Sequence, residues 1–141
     1  MAYEGTDVPV SRSQEQIRKL LMTNGALGVA FVSQIDPYSE GFSAQVPIDG
    51  KTYQIRVVAL VSVKARPDQQ EQELRRVWRV LFYHLKSVYE AANSGVMEFR
   101  ELMLPYVVVK DGRTIAQHLL PQLDKAIESR PERLLGSGEG N

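Results

Sequence analysis

The sequence contains no cysteine, only two histidines and no surplus of either charge. Without cysteine, disulfide bonds and zinc–thiolate sites are excluded, and a cytoplasmic location is expected. Lys and Arg together number 17, as do Asp and Glu. This balance predicts no duplex DNA partner, because a protein that coats duplex DNA needs excess positive charge. No apolar run approaches the roughly 18 residues of a membrane span, so no membrane partner is predicted.

Motifs for catalysis and metal binding are also missing. His84 and His118 stand apart in the chain and form no two-histidine zinc motif. No G-x-S-x-G or S-x-x-K pattern marks a nucleophilic serine. Carboxylates such as Glu98 and Glu101 have the spacing of an ordinary solvated helix face. The sequence therefore predicts no metal, no cofactor, no catalytic residue and no enzymatic activity.

The chain has the length and composition of one folded domain. Of its 141 residues, 43% are hydrophobic and 24% are charged, which is typical of a globular protein. We expect a single domain over residues 1–135. Residues 136–141 are mostly Gly, Ser and polar residues, and they are expected to form a disordered tail.

Capping patterns and apolar periodicity predict the helices. Ser11-x-x-Gln14 and Ser13-x-x-Gln16 both fit a capping box, so the first helix is expected to start between Ser11 and Ser13. The longest helix spans about Asp68–Ser94, where apolar residues recur at spacings of three and four. Thr114-x-x-Gln117 opens the last helix. In that helix Pro121 should cause a kink or an early end, and the residues expected to face inward are Ile115, Leu119, Leu123 and Ile127.

Alternating apolar residues predict three strands, Leu27–Ile35, Phe42–Ile48 and Tyr53–Val63. Asp49-Gly50 is typical of a tight hairpin, so the three strands are expected to form an antiparallel meander. A short fourth strand is predicted at Tyr106–Val109. The expected fold class is α+β: a three- to four-stranded antiparallel sheet packed by one long helix, with N-terminal and C-terminal helices. The first strand is apolar on both faces, which predicts a homo-oligomer.

Cations and aromatic residues carry the functional prediction. Arg113 follows the Asp111-Gly112 turn and precedes Thr114, at the expected mouth of the last helix. Helix N-termini attract anions through unpaired N–H groups, and a guanidinium adds a planar fork suited to phosphate. The sequence therefore predicts that Arg113 and Thr114 bind a small anionic, phosphate-bearing ligand.

Further candidates for that ligand site lie elsewhere in the chain. They are the cations Arg56, Arg79 and Lys86 and the aromatic residues Tyr83 and Tyr106, which offer stacking faces. One interpretation is that all of them converge on a single ligand. The other is that they are separate solvated charges.

Three stretches resemble a family of small proteins that are encoded widely in bacteriophage genomes. The first joins Val8–Ser13 to Ile17–Leu21 and Asn24–Ala26, the second is Arg76–Ala91, and the third is Phe99–Thr114. The family pattern has W-R followed by a lysine, then G-x-x-x-F, then a strand ending in D-G-R-T. The matching residues are Trp78, Arg79, Lys86, Gly95, Phe99, Gly112, Arg113 and Thr114. The chain departs from the pattern at Ala59-Leu60-Val61, where a proline-containing run is expected.

In size and element order the chain is similar to phage anti-Thoeris sponges. Those proteins bind cyclic ADP-ribose-type signals without cleaving them. The resemblance implies a non-enzymatic anti-defence protein that sequesters a cyclic nucleotide in the host cytoplasm, as a multimer with pockets shared between subunits. The alternative is a phage replication or recombination accessory protein that binds single-stranded nucleic acid, which would require an extended basic groove with exposed aromatic residues.

Overall fold

The computed structural model describes residues 3–35, 37–62 and 66–129. Within them the α+β class is confirmed, with a three-stranded antiparallel sheet, a long central helix and helices near both ends. The elements, in chain order, are α1 (Val10–Thr23), β1 (Gly28–Ile35), β2 (Tyr38–Ile48), β3 (Lys51–Leu60), α2 (Pro67–Asn93), α3 (Phe99–Met103), a 3₁₀ turn (Leu104–Tyr106) and α4 (Ile115–Ser129). The predicted tail, residues 136–141, and the predicted strand end at Val63 lie outside the described residues.

The sheet has the order β1-β2-β3, with β2 in the centre. Asp49 and Gly50 take φ values of 50° and 81°, which is the left-handed pair that a tight type I′ hairpin needs, so the predicted turn is confirmed. Alternate residues of β2 and β3 are buried on one face: Phe42, Ala44, Val46, Ile48, Ile55 and Val57. This face forms the core together with α1 and α2.

Trp78 of α2 ties the long helix to the sheet. Its side chain is fully buried, its Nε1 donates to Glu40 Oε1 at 3.1 Å, and its ring meets the Phe31 ring edge-on at 5.5 Å. A buried indole N–H needs an acceptor, and Glu40 on β2 supplies one. The predicted packing of the long helix on the sheet is therefore confirmed.

The start of α1 differs from the prediction. The helix begins at Val10, directly after Pro9, and no side chain caps it. Ser13 is instead fully buried on the same face as Ile17 and Leu21, because these residues recur every four positions. Its Oγ has no hydrogen-bond partner among the described residues.

The predicted fourth strand at Tyr106–Val109 is wrong. Pro105 lies in the 3₁₀ turn, after which Val107 forms a single bridge with Ile55, and Val108 N donates to Gln54 O at 2.9 Å. The chain then folds back at Asp111-Gly112, so that Val108 bridges to Thr114 instead of continuing along β3. The segment therefore borders the sheet without adding a strand.

The predicted start of α4 is confirmed, whereas the predicted burial of its apolar side is wrong. Gln117 N donates to Thr114 Oγ1 at 3.2 Å and Thr114 N donates to Gln117 Oε1 at 2.8 Å, which is the predicted capping box. The helix continues past Pro121 to Ser129 and packs mainly against the 3₁₀ turn. Only Ile115 is half-buried. The other residues predicted to face inward are exposed: Leu119 (53%), Leu123 (48%) and Ile127 (53%). None of the described helices is long and apolar enough to cross a membrane.

Candidate functional site

Six of the seven predicted ligand-binding residues fall into two clusters, and Tyr106 belongs to neither. The first, here called the loop cluster, is made of Arg56, Asp111, Gly112, Arg113, Thr114, Gln117 and His118. The second, here called the helix cluster, is made of Arg79, Phe82, Tyr83 and Lys86 of α2, with Tyr3 and Gln16. Tyr106 bonds to His84, with 2.9 Å between the Tyr106 hydroxyl and His84 Nε2, and burial raises the pKa of this tyrosine.

In the loop cluster the arginines bond to the chain itself. Arg56 donates from Nη2 to the main-chain oxygen of Gly112 at 2.7 Å and to Gln117 Oε1 at 3.3 Å. Arg113 donates from Nη2 to the main-chain oxygen of Gln117 at 2.9 Å. Gly112 has a φ of 83°, which favours glycine at this turn. Both guanidinium groups therefore stabilise the turn that leads into α4.

The mouth of α4 is filled by acceptors from the same segment. Arg113 N donates to Asp111 Oδ1 at 3.0 Å, and Ile115 N donates to the main-chain oxygen of Val107 at 2.9 Å. Thr114 N is held by Gln117, as described above. The Asp111 carboxylate also pairs with His118 Nε2 at 2.9 Å, and this bond, with the one from Arg113 N, lowers the pKa of Asp111. A phosphate at this mouth would have to displace these acceptors, one of which is a carboxylate.

In the helix cluster the cations lie against aromatic rings instead of bonding to main-chain oxygens. Arg79 is only 6% exposed, and its Nη2 donates to Gln16 Oε1 on α1. Its guanidinium lies 4.8 Å from the centre of the Phe82 ring and 5.2 Å from that of Tyr83. Lys86 Nζ lies 5.5 Å from the Tyr83 ring centre. Since residues three and four apart share a helix face, these α2 residues form one continuous surface.

Tyr83 links this surface to the N-terminal segment. The ring of Tyr3 stacks on the ring of Tyr83 with 5.2 Å between centres and 5° between planes. Tyr83 is 39% exposed, so it retains open surface beside the two cations. The cluster therefore combines stacked aromatic rings with a guanidinium and an ammonium group.

The positive charge of the helix cluster is not balanced locally. Within residues 3–35, 37–62 and 66–129 no carboxylate forms an ion pair with Arg79 or Lys86. Among the same residues, Arg79 Nε has no hydrogen-bond acceptor. Neighbouring cations of α2 differ in this respect: Arg75 pairs with Glu71 at 3.2 Å and Arg76 pairs with Glu73 at 3.0 Å. A buried charge without a counter-ion is costly, so this cluster is suited to receive an anion.

A groove of about 280 Å³ between α1 and α2 adjoins the helix cluster. The groove is lined by Gln16, Lys19, Leu20, Thr23, Phe82 and Lys86. A second cleft of the same volume contains the side chains of Glu4, Glu73 and Arg76, and is thus lined by two carboxylates and one cation. The groove between α1 and α2 is therefore the better candidate for an anionic ligand.

Sequence reasoning found part of this site. Arg79, Tyr83 and Lys86 were predicted, whereas Tyr3, Gln16 and Lys19 were not. The spacing of Arg79, Phe82, Tyr83 and Lys86 on α2 is a local signal that can be read from the sequence. The contribution of α1 and the N-terminal segment has no such signal, because it depends on how α1 packs against α2.

Comparison with protein-family models, with curated protein sequences and with solved structures finds no significant match. Among the described residues, no three His, Asp or Glu side chains group closely enough to hold a metal ion.

Proposed function

We propose that this protein binds a small anionic nucleotide at the helix cluster and sequesters it without chemical conversion. The observation that carries the proposal is the state of Arg79: it is 6% exposed, lies against two aromatic rings and has no carboxylate partner among the described residues. A phosphate would supply the missing counter-charge. Tyr83 is 39% exposed and adds aromatic surface beside the two cations.

The ligand class that we propose is a cyclic nucleotide of the cyclic ADP-ribose type. The resemblance to phage anti-Thoeris sponges supports this choice, and such a protein would act in the cytoplasm of the infected host as an anti-defence protein. The balanced net charge is compatible with it, because a small ligand needs only a few local cations. The lack of nucleophile and metal motifs in the sequence favours binding over hydrolysis.

We further propose that the protein is a homo-oligomer and that α4 forms the contact between copies. Leu119, Leu123 and Ile127 form an exposed row along one side of the helix. In an antiparallel pair of α4 helices centred on Leu123, Leu119 of one copy lies opposite Ile127 of the other. Glu128 then lies opposite His118, so that no like charges oppose each other there. A second copy is thus a suitable partner for this face.

Native mass spectrometry and calorimetry with a panel of ligands test the proposal. The panel contains cyclic ADP-ribose, cyclic dinucleotides and an oligothymidine, so that the alternative function in single-stranded nucleic acid binding is tested together with the first. Cyclic ADP-ribose is expected to bind and to be recovered intact after heat denaturation. Arg79→Met and Lys86→Gln should each weaken binding by about tenfold or more, the loss of one charge-assisted hydrogen bond.

Arg75→Gln is the matched control, because Arg75 lies on the same helix and pairs with Glu71. This variant should keep the affinity of the unmodified protein. Recovery of a hydrolysed product would make the protein an enzyme. Salt-sensitive binding of the oligothymidine, with no binding of the cyclic nucleotides, would favour the replication or recombination role.

A further inference from the structure

The groove between α1 and α2 opens beside the buried cation of the helix cluster. Gln16 belongs to both features, because its side chain lines the groove and its Oε1 accepts the hydrogen bond from Arg79. A ligand in the groove would therefore lie next to the only side-chain acceptor that the described residues give to Arg79.

Each wall of the groove carries one lysine. Lys19 comes from α1 and Lys86 from α2, and neither forms an ion pair with a described residue. Leu20 and Phe82 are half-buried and supply apolar surface. Two ammonium groups beside an apolar surface suit a ligand with a flat apolar ring and a negatively charged substituent.

The size of the groove limits what it can enclose. Its volume of about 280 Å³ is just below the ~300–1,000 Å³ of typical small-molecule sites. A groove of this size suits one ring system rather than a complete cyclic dinucleotide. The remainder of a larger ligand would extend toward Tyr83, which has exposed surface.

We infer that this groove is the base subsite of the nucleotide site, with the ring against Leu20 and Phe82 and the phosphate held by Lys19 and Lys86. The inference rests on the proposed function and adds to it a location for the ring and a further phosphate contact, Lys19. The ligand class that it defines is a nucleotide with an exposed phosphate. Adenosine monophosphate is the simplest probe of this chemistry.

Isothermal titration calorimetry with adenosine monophosphate, adenosine and inorganic pyrophosphate tests the inference. Adenosine monophosphate should bind at least about tenfold more tightly than adenosine, because adenosine lacks the charge that both lysines contact. Thr23→Trp places a large side chain in the groove and should weaken binding of adenosine monophosphate by about tenfold or more. The same variant should bind pyrophosphate as the unmodified protein does, since pyrophosphate has no ring.

Met22→Trp is the matched control for Thr23→Trp, because Met22 is its exposed neighbour on α1 and does not line the groove. Lys19→Gln should weaken adenosine monophosphate and pyrophosphate alike, whereas Arg12→Gln, an exposed cation of α1 outside the groove, should weaken neither. Circular dichroism of each variant verifies that it is folded.

The outcomes separate this inference from the proposed function. If Arg79→Met weakens the binding of adenosine monophosphate but Thr23→Trp does not, the ring lies elsewhere. The groove inference is then overturned while the proposed function stands. If Arg79→Met does not weaken the binding of cyclic ADP-ribose, the proposed function fails. No detectable binding of adenosine monophosphate at millimolar concentration also overturns the groove inference.

Discussion

Arg113 donates from Nη2 to the main-chain oxygen of Gln117 at 2.9 Å, and this oxygen lies four residues before Pro121. Because proline has no N–H, Pro121 cannot make the helical hydrogen bond that this oxygen would normally accept. The Arg113 guanidinium donates to this oxygen in place of the missing N–H. Arg113, which the sequence suggested as a phosphate contact, thus lets α4 continue through a proline.

The replacement of the missing Pro121 N–H by the Arg113 guanidinium can be measured as a coupling energy between the two residues. Arg113→Ala should lower the free energy of unfolding by about 1 kcal/mol, since it removes a charge-assisted bond at an exposed site. In a Pro121→Ala background the same substitution should cost clearly less, because residue 121 then supplies the N–H itself. Urea denaturation of the four proteins gives a double-mutant cycle, and strictly additive effects would contradict the interpretation.

Much of the fold could be predicted because the signals are local. The Asp49-Gly50 hairpin, the Thr114-x-x-Gln117 capping box and the apolar stripe of α2 each depend on residues close together in the chain. The features that were predicted wrongly depend on packing. The fourth strand fails because the chain turns back and Val108 pairs with Thr114. The leucines of α4 face outward because, within the described residues, this helix packs mainly against the 3₁₀ turn.

In the candidate site, too, local signals could be predicted and features that depend on packing could not. Local spacing identified Arg79, Tyr83 and Lys86 on one face of α2. The sequence could not reveal that Arg56 bonds to Gly112, because 56 residues separate them. Nor could it reveal that Gln16 and Lys19 face the same groove as Phe82 and Lys86, since this requires the packing of α1 against α2.

The phenol of Tyr89 predicts a loss of stability at alkaline pH. Tyr89 is buried and stacks on Phe99 with 5.1 Å between ring centres, and burial raises its pKa to about 12. A tyrosine in the unfolded chain ionises near pH 10, so between about pH 10 and 12 the unfolded state has lost the proton that the folded state keeps. The free energy of unfolding should therefore fall across this window.

Tyr89→Phe removes this titration. The difference in free energy of unfolding between the variant and the unmodified protein should be constant below about pH 9.5 and should then shift in favour of the variant up to pH 12. Chemical denaturation at a series of pH values, followed by circular dichroism, measures it. A difference that stays constant to pH 12 would show that the phenol of Tyr89 ionises as freely as in the unfolded chain.

Gly41 in β2 is a position where only glycine fits. A Cβ at this residue would overlap the main-chain oxygen of Val57 and lie 2.8 Å from the Cα of Val58. Both contacts are with the backbone of β3, which cannot move without disturbing the strand pairing. Gly41→Ala should lower the free energy of unfolding by about 1–3 kcal/mol or more, as overpacking does.

Gly28→Ala is the control for Gly41→Ala. A Cβ at Gly28 in β1 meets no atom within 4 Å, so this variant should stay within about 0.5 kcal/mol of the unmodified protein. Thermal unfolding of the two variants in parallel compares them. Equal stability of both variants would mean that β2 and β3 lie further apart at Gly41 than the structure has them.

The oligomer proposal is tested at Leu123, the centre of the exposed row of α4. Leu123→Asp should convert the assembly to monomer at micromolar concentration, because two buried carboxylates would face each other at the symmetry axis. Val96→Asp is a control at another exposed apolar residue, in the turn after α2, and should leave the assembly unchanged. Sedimentation velocity measures both, and a protein that is already monomeric without substitution would refute the proposal.

A comparison of Arg76 with Arg79, both on α2, tests whether the helix cluster binds an anion. Arg76 pairs with the buried carboxylate of Glu73 through two hydrogen bonds of 3.0 Å, and these bonds raise the pKa of Arg76. Arg79 is more deeply buried and has no carboxylate partner among the described residues. The same substitution should therefore lower stability at position 76 and should not lower it at position 79.

Arg76→Met removes both hydrogen bonds from Arg76 to Glu73 and should lower the free energy of unfolding by about 1–3 kcal/mol. Arg79→Met removes a buried, unbalanced charge and should leave stability unchanged or raise it by about 1 kcal/mol, while it abolishes the stabilisation that added nucleotide gives. Thermal unfolding with and without millimolar cyclic ADP-ribose, at constant ionic strength, measures both effects. If Arg79→Met unfolds as easily as Arg76→Met and its melting temperature still rises with the nucleotide, Arg79 is a structural residue and the anion site lies elsewhere.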